Sequence, residues 1–201
     1  MIEEILINYI KTNNLFLDIK SLFLKYNKMN IFLHSENVSQ KATELAEKYD
    51  INKNKMKIAA FLHDISGIIK NEDKIALSES MNMEILKEER QFPLLIHQKL
   101  SKEIAKRIFC IEDEEILQAI SCHTTLRRNP TKFDMILFIS DKIEWDQADK
   151  PPYLKIVEDK LQISLEKGVK AFIDYQIENK EKLLIVHPWL IEAYNFFNSS
   201  E

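Results

Sequence analysis

Residues 58–64, Ile58-Ala59-Ala60-Phe61-Leu62-His63-Asp64, are an apolar run that ends in two polar side chains. Five consecutive apolar residues indicate a buried segment, so His63 and Asp64 enter the interior at its end. An unpaired polar or charged group in the interior costs several kcal/mol, and both side chains therefore need partners. A metal ion satisfies both at once, because imidazole nitrogen and carboxylate oxygen are ligands of iron, manganese and zinc.

Four further side chains are candidate ligands of the same metal centre: His34, His97, His123 and Asp141. Each lies on or near an apolar helical segment, and helical bundles build metal sites from inward side chains of several helices. A lone histidine on such a face is usually a core residue, and an aspartate is as often a helix-end or ion-pair residue. Six residues of this kind need six separate explanations, whereas one centre of one or two ions explains them together.

The composition is that of a soluble globular protein with few turns. The chain has 201 residues, of which 45% are hydrophobic and 30% charged, and only two are glycine and five proline. So few breakers argue against an all-β protein and exclude a glycine-rich phosphate loop. A net charge of -4 gives no electrostatic footprint for a nucleic acid polymer, and two cysteines give no disulfide framework. No signal peptide or membrane span is expected, and the location that we expect is the cytoplasm.

Helical periodicity runs along the whole chain and predicts an all-α fold. The predicted architecture is one domain over 1–201, a bundle of roughly eight to ten helices at typical helix lengths. Its metal-site core spans about 30–145, and C-terminal helices follow over 150–201. Gly168 is a possible weak point in the long helical stretch from Tyr153 to Asn179. The other predicted helices are 2–10, 35–49, 55–64, 73–81, 94–109, 113–123, 131–143 and 190–197.

The order His34, His63-Asp64, Asp141 resembles that of the HD superfamily of metal-dependent phosphohydrolases. Three further blocks resemble a narrower branch, the bacterial symmetrical bis(5'-nucleosyl)-tetraphosphatases, which split diadenosine tetraphosphate into two ADP. These blocks are Leu95-Ile96-His97-Gln98, His123-Thr124-Thr125 and Ser140-Asp141-Lys142-Ile143-Glu144. The resemblance extends from about His34 to Asn195 and implies an HD-type helical domain.

The resemblance also implies roles for individual residues. The metal ligands are His34, His63, Asp64 and Asp141, and the ion is iron or a similar metal such as manganese, cobalt, nickel or zinc. The implied catalytic residues are His97, His123 and Asp64, and the implied contacts to a nucleotide substrate are His97, His123, Thr124, Gln147 and Asn195. Asp64 has two oxygens, so it can also bridge two ions, with His97 and His123 on the second; one and two ions both stay open. A metal-activated water attacks phosphorus, and positive groups stabilise the charge on the phosphoryl oxygens.

Three positions depart from the family pattern. Ile31, Gly67 and Gln147 stand where the family commonly has basic residues. Each lost charge-assisted hydrogen bond is worth ~1.5–3 kcal/mol to an anionic ligand. Arg127-Arg128 can replace part of this charge or form a solvated turn. The alternative functions are therefore hydrolysis of another nucleotide, a monophosphate or a guanosine alarmone, and a nucleotide-binding module without activity. Retention of all six histidine and aspartate candidates argues against the inactive module.

The C-terminal region leaves two questions open. His187 and Trp189 either line a pocket for a nucleobase or anchor the last helix, and Trp145 has the same two interpretations. Phe196 and Phe197 serve either the core or the interface of a homodimer.

Overall fold

The protein is described by a computed structural model, which covers Thr12 and residues 14–144 and 150–199. This part of the chain is built from helices and contains no strand. The all-α prediction is therefore confirmed. The eleven α-helices are α1 (Leu15–Lys25), α2 (Met29–Lys48), α3 (Lys53–Leu62), α4 (Asn71–Ser80), α5 (Lys87–Gln91), α6 (His97–Arg107), α7 (Glu114–Cys122), α8 (Lys132–Ile143), α9 (Leu154–Leu161), α10 (Leu165–Glu178) and α11 (Pro188–Asn198). Three short 3-10 helices join them at Ile65–Ile68, Pro93–Ile96 and Lys180–Lys182.

The helices that carry the candidate ligands pack against one another. Helix α2 lies between α3 and α8, α7 contacts α3, α6 and α8, and the turn Ile65–Ile68 packs on α6. Fully buried side chains such as Val38, Leu62, Leu117 and Phe138 fill the space between these helices. Burial of each such side chain contributes about 1.5–3 kcal/mol, so the arrangement that places the ligands is held mainly by apolar packing.

Polar side chains fix where three of these helices begin. Asn52 accepts hydrogen bonds from the first turn of α3, and Asp113 does the same for α7. Thr131 and Asp134 form a reciprocal pair at the start of α8. Each cap satisfies N–H groups that have no partner within the helix and stabilises it by ~1 kcal/mol. The register of α3, α7 and α8, and hence the position of their ligands, follows from these caps.

The observed helices differ from the predicted ones mainly at their boundaries. Helix α2 begins at Met29 and not at Ser35, because Phe32 is buried on the same face as Ser35 and Val38 and extends the stripe towards the N-terminus. His34 is thus inside a helix and not at its start. The count of eleven in the described part also exceeds the expected eight to ten, since α1 and the five-residue α5 were not predicted. The predicted stripe over 2–10 lies outside the described residues.

The prediction of a weak point at Gly168 is wrong. The helical stretch divides between Leu161 and Leu165, where Ser164 caps α10, and Gly168 lies buried inside α10. A Cβ atom added at Gly168 would stand 2.8 Å from Leu161 Cδ1 and 3.1 Å from Leu161 Cα. Glycine is present because α9 and α10 approach closely at this point and leave no room for a side chain.

The Gly168→Ala variant is accordingly expected to be less stable by ~1 kcal/mol. Alanine favours the helix by ~1 kcal/mol, but forcing a methyl group against the Leu161 backbone costs ~1–3 kcal/mol. Urea unfolding measures the difference. Lys167→Ala, on the exposed face of the same helix, is the control, and its stability is expected to change by no more than ~0.5 kcal/mol. A Gly168→Ala protein that is more stable than the wild type would contradict the close-packing interpretation.

Within the described ranges, no helix has both the length and the apolar character needed to cross a lipid bilayer. The prediction of one domain over 1–201 is not tested by these observations and stays a prediction.

Candidate metal centre

All six predicted side chains converge on one site. His34 projects from the second turn of α2 and Asp141 from the last turn of α8. The other four lie at helix ends. His63 and Asp64 follow the end of α3, His97 opens α6, and His123 follows the end of α7. Residues up to 107 positions apart in sequence are therefore neighbours in space.

The first ligand group consists of His34, His63 and Asp141. Asp141 Oδ1 lies 3.0 Å from His34 Nε2 and 3.4 Å from His63 Nε2. His63 is fully buried, while His34 and Asp141 keep about a seventh of their side-chain surface exposed. One ion can contact all three side chains, because the three ligand atoms lie within 4.8 Å of one another.

The second ligand group is built on Asp64. Asp64 Oδ1 lies 3.3 Å from His97 Nε2 and 3.4 Å from His123 Nε2, and the two imidazole nitrogens are 3.0 Å apart. The other oxygen of the same carboxylate, Oδ2, lies 3.7 Å from His63 Nε2. Asp64 therefore faces both groups, one oxygen towards each, as the sequence-based hypothesis of a bridging carboxylate requires.

The main chain sets the tautomer of three of the histidines. His63 Nδ1 lies 2.6 Å from the carbonyl of Ala60, and His123 Nδ1 lies 2.8 Å from the carbonyl of Ile120. His97 Nδ1 is placed likewise, 2.7 Å from the carbonyl of Leu94. A carbonyl only accepts hydrogen bonds, so each Nδ1 carries a proton and donates it. In the neutral ring, Nε2 then presents a lone pair to the site, which is the arrangement that metal-binding histidines show.

The buried carboxylates of Asp64 and Asp141 favour positive charge in the site. Burial disfavours the charged form of His63 and lowers its pKa. The carboxylates of Asp64 and Asp141 have the larger, opposite effect and raise the pKa of His63 to about 9. Burial also opposes ionisation of Asp64 and Asp141, yet the surrounding histidines, and Lys142 for Asp141, hold both pKa values well below the ordinary range. Burial, together with neighbouring His63 and His97, lowers the pKa of His123 to about 4, so its ring is neutral at pH 7.

These observations fit a metal ion. The Nε2 atom of His63 is buried and has no hydrogen-bond partner within the described part of the chain. The Nε2 atoms of His97 and His123 face each other with Nδ1 protonated in both rings, so two lone pairs meet unless a proton or an ion lies between them. A cation shared by these nitrogens and two carboxylates removes both conflicts.

Supporting residues, which sequence reasoning did not identify, hold the ligands in place. Gln98, buried next to His97, accepts a hydrogen bond from Thr124 N at 3.0 Å and donates one to Thr125 Oγ1 at 3.0 Å. It thereby ties the start of α6 to the turn that carries His123. Lys142 Nζ donates to Asp141 Oδ2 at 2.6 Å, which leaves Oδ1 for the site. A buried glutamine directly after a histidine ligand, and a lysine directly after Asp141, are the only signals that the sequence offers for these roles.

Three cavities surround the cluster. The metal cleft, about 240 Å³, is lined by both carboxylates and His34 together with Ile31, Lys142 and Tyr153. The apolar cavity, about 330 Å³, shares Lys142 and Tyr153 with the cleft. The basic cavity, about 440 Å³, shares Ile31 and Asp64 with it. The cleft thus connects two chemically different spaces that have no lining residue in common.

The remaining predicted site residues differ in how close they lie to the metal centre. Thr124 is at the centre, with Oγ1 3.1 Å from His97 Nε2, and it lines the apolar cavity. Asn195 is exposed on α11 and lines none of the three cavities, so its predicted substrate contact stays a prediction without structural support. Gln147, with its neighbour Trp145, lies outside the described residues. Arg127 does not replace the missing charge, because it pairs with buried Asp134 at 2.6 Å.

The C-terminal His187 and Trp189 mainly anchor the last helix. His187 Nδ1 accepts a hydrogen bond from Trp189 N at 3.2 Å, and His187 Nε2 lies 3.4 Å from buried Glu89. Lys99 pairs with the same Glu89 and lies 4.9 Å from the Trp189 ring. His187 also lines the apolar cavity, whereas Trp189 does not.

Comparisons with known proteins agree with this geometry. The family model described as HD domain matches residues 31–146. A protein of Lactococcus lactis subsp. cremoris, named only as an uncharacterized protein in the pepC 5' region, is 39% identical, and the match covers 87% of this chain and 90% of that one. The symmetrical bis(5'-nucleosyl)-tetraphosphatase of Bacillus subtilis (strain 168) is 26% identical over 81% of this chain and 90% of its own length.

A solved structure has the same fold. It is a crystal structure from Clostridium acetobutylicum, described as a predicted HD superfamily hydrolase involved in NAD metabolism. It superimposes with a TM-score of 0.83 at 27% identity and covers 91% of this chain and 96% of that one. With the family match over more than half of its length, the chain belongs to the HD domain family, and it is an HD-domain hydrolase.

Proposed function

We propose that this protein hydrolyses a phosphoanhydride bond of a nucleotide, and that its reaction is the symmetrical cleavage of diadenosine tetraphosphate to two ADP. The observation that carries the proposal is the position of Asp64, whose two oxygens face two ligand groups in a cleft between two cavities. A relative of 26% identity that bears the name of this activity supports the choice of substrate.

A bound ion would supply two kinds of chemistry, a lower pKa for water and polarisation of a phosphoryl oxygen. His34, His63, Asp141 and Asp64 would hold it, and Asp64, His97 and His123 would hold a second ion. Histidine and carboxylate ligands suit iron, manganese, cobalt, nickel and zinc alike, and we propose iron as the resident metal on the family resemblance.

Other side chains at the site supply donors for the transition state. In hydrolysis, a water oxygen forms a bond to phosphorus while the bond to the bridging oxygen breaks, and charge gathers on the phosphoryl oxygens. Lys142 uses one N–H on Asp141 and keeps others for a phosphoryl oxygen. Thr124 points its hydroxyl at His97 Nε2. When that lone pair is used by an ion, the hydroxyl proton is available to a phosphate oxygen.

The apolar cavity fits one nucleoside of the substrate, and the basic cavity fits part of its phosphate chain. The apolar cavity is lined by Tyr153, Phe172 and Leu190, with Gln176 and Thr125 as polar groups. Aromatic and aliphatic walls with a few polar groups suit a nucleobase. The basic cavity lies at the Asp64 and His97 end of the cluster. A dinucleoside polyphosphate spans the cleft between them with its phosphate chain on the metal centre.

A second candidate function is hydrolysis of another nucleotide. Ile31, which lines the cleft and the basic cavity, and Gly67, which lines the basic cavity, favour this alternative. Both are uncharged and stand where the resemblance to the tetraphosphatase family implies basic residues. A nucleotide monophosphate or a guanosine alarmone then replaces the dinucleotide. A third candidate, a binding module without activity, is disfavoured by the intact cluster of six ligands.

Product analysis of the metal-loaded protein tests these functions. We expect ADP as the only product from diadenosine tetraphosphate, since symmetrical attack divides the four phosphates equally. The panel contains this compound, nucleoside monophosphates and a guanosine alarmone, each assayed with iron, manganese or cobalt. Products are separated by ion-exchange chromatography. AMP with ATP from the dinucleotide, or release of phosphate from a monophosphate alone, would contradict the proposal, and binding without turnover would support the inactive module.

A further inference from the structure

The basic cavity is lined by three lysines from different parts of the chain. Lys28 precedes α2, Lys70 immediately precedes α4, and Lys74 lies in the first turns of α4. The same cavity reaches Asp64 and His97 of the metal centre. A group bound here is thus adjacent to a group bound on the metal ligands.

Lys74 is the most informative of the three, because it is a buried cation with few partners. It is 2% exposed, and its Nζ atom donates to the carbonyl of Ile69 at 2.6 Å. No carboxylate in the described part of the chain forms an ion pair with it. An ammonium group has three donors, so two remain for a ligand in the cavity.

The Lys74 amine keeps its positive charge at neutral pH despite its burial. Burial lowers the pKa of this lysine to about 8, with the field of Asp64 acting in the opposite direction and that of Lys28 acting in the same direction. The amine is thus largely protonated at neutral pH. A buried ammonium without an anion is costly, and two lysines at one cavity repel each other. An anion in the cavity relieves both costs.

Ile31 and Gly67 also line this cavity. A Cβ atom at Gly67 would stand in steric conflict with Ile31 Cδ1. The isoleucine therefore occupies the space that a side chain at position 67 would need. Both positions border the cavity that contains the lysines, and neither contributes a charge to it.

We propose that Lys28, Lys70 and Lys74 bind a phosphoryl group of the substrate, the one next to the phosphorus that is attacked. This inference rests on the proposed function, since it assumes a substrate with at least two linked phosphates.

Binding of ADP and of adenosine to the manganese-loaded full chain tests the proposal by calorimetry. The variants are Lys28→Gln, Lys70→Gln and Lys74→Met, and the control is Lys155→Gln, an exposed residue of α9 that lines none of the three cavities. We expect the Kd for ADP to rise by ~10-fold or more in Lys28→Gln and Lys74→Met, as loss of a charge-assisted hydrogen bond predicts. Adenosine, which carries no phosphate, is expected to bind these variants and the wild type equally. Lys70→Gln is expected to change less, because Lys70 also lies 3.7 Å from Glu72 at the surface.

The outcomes separate this proposal from the proposed function. Lysine-dependent ADP binding in a protein that does not cleave diadenosine tetraphosphate would support the phosphoryl site and reject only the substrate. Unchanged ADP affinity in both Lys28→Gln and Lys74→Met would overturn the site. An equal loss of affinity for ADP and for adenosine would also overturn it. Lysines that contact only the phosphate should not change the affinity for adenosine, which has none. If circular dichroism shows that Lys74→Met is unfolded, Lys28→Gln, at an exposed position, decides alone.

Discussion

Asp64→Asn is expected to lose both metal and hydrolysis. The variant keeps the shape of the side chain and removes the charge that faces His63, His97 and His123 at 3.3–3.7 Å. Removing a residue that merely supports a ligand typically lowers metal affinity by ~10–100-fold, and loss of a carboxylate shared by two ligand groups must exceed this. We expect turnover below ~10⁻³ of the wild-type rate, as for loss of a metal-activated nucleophile.

Elemental analysis of the purified protein, paired with the turnover assay, measures both effects. Asp159→Asn, an exposed aspartate of α9, is the matched control and should keep the wild-type metal content. Normal metal content in Asp64→Asn would refute the assignment of this residue as a ligand, whatever the activity.

His123→Ala is expected to reduce turnover by ~10²–10³-fold, because an ion that would stabilise the charge on the phosphoryl oxygens loses one of its ligands. The first group, His34, His63 and Asp141, is intact in this variant and retains its ion. If the wild type holds two ions per chain, the variant should hold one, because His123 belongs to the second group with Asp64 and His97.

The metal-to-protein ratio therefore distinguishes a centre of one ion from a centre of two. Gln118→Ala, on the same helix, controls for changes in α7, because the Gln118 side chain donates a hydrogen bond to Glu114 and lines none of the three cavities. An unchanged rate in His123→Ala would make His123 a structural residue of the core.

The candidate metal ligands could be predicted from the sequence, whereas most residues that line the cavities could not. His63, Asp64 and Asp141 are recognisable because polar residues inside apolar runs are costly and need a common explanation. In the structure, the Nε2 atom of His63 lies 3.7 Å from the Asp64 carboxylate and 3.4 Å from the Asp141 carboxylate. The cavities depend on which side chains meet across helices, and periodicity does not encode such contacts. Lys74, for example, reads as one more charged residue on an amphipathic helix, and only the packing of α4 shows that it is buried.

The sequence predicted some helix starts closely and missed others. Asp113 and Thr131 mark the starts of α7 and α8 within one residue of their predicted positions. The start of α2 has no side-chain cap, and it was placed six residues too late. Gly168 shows another limit of prediction from local sequence. A glycine in a helical stretch can break the helix or allow a second helix to pack closely against it, and the local sequence is the same in both cases.

The bonds from Nδ1 of His63, His97 and His123 to the carbonyl three residues earlier have an evolutionary consequence. Two of these carbonyls belong to the last turn of a helix, where they have no partner within the helix, so the imidazole planes are oriented by backbone that every sequence possesses. The planes of these three rings therefore depend on the main chain more than on neighbouring side chains. The side chains that line the cavities can therefore change in sequence without reorienting these three rings.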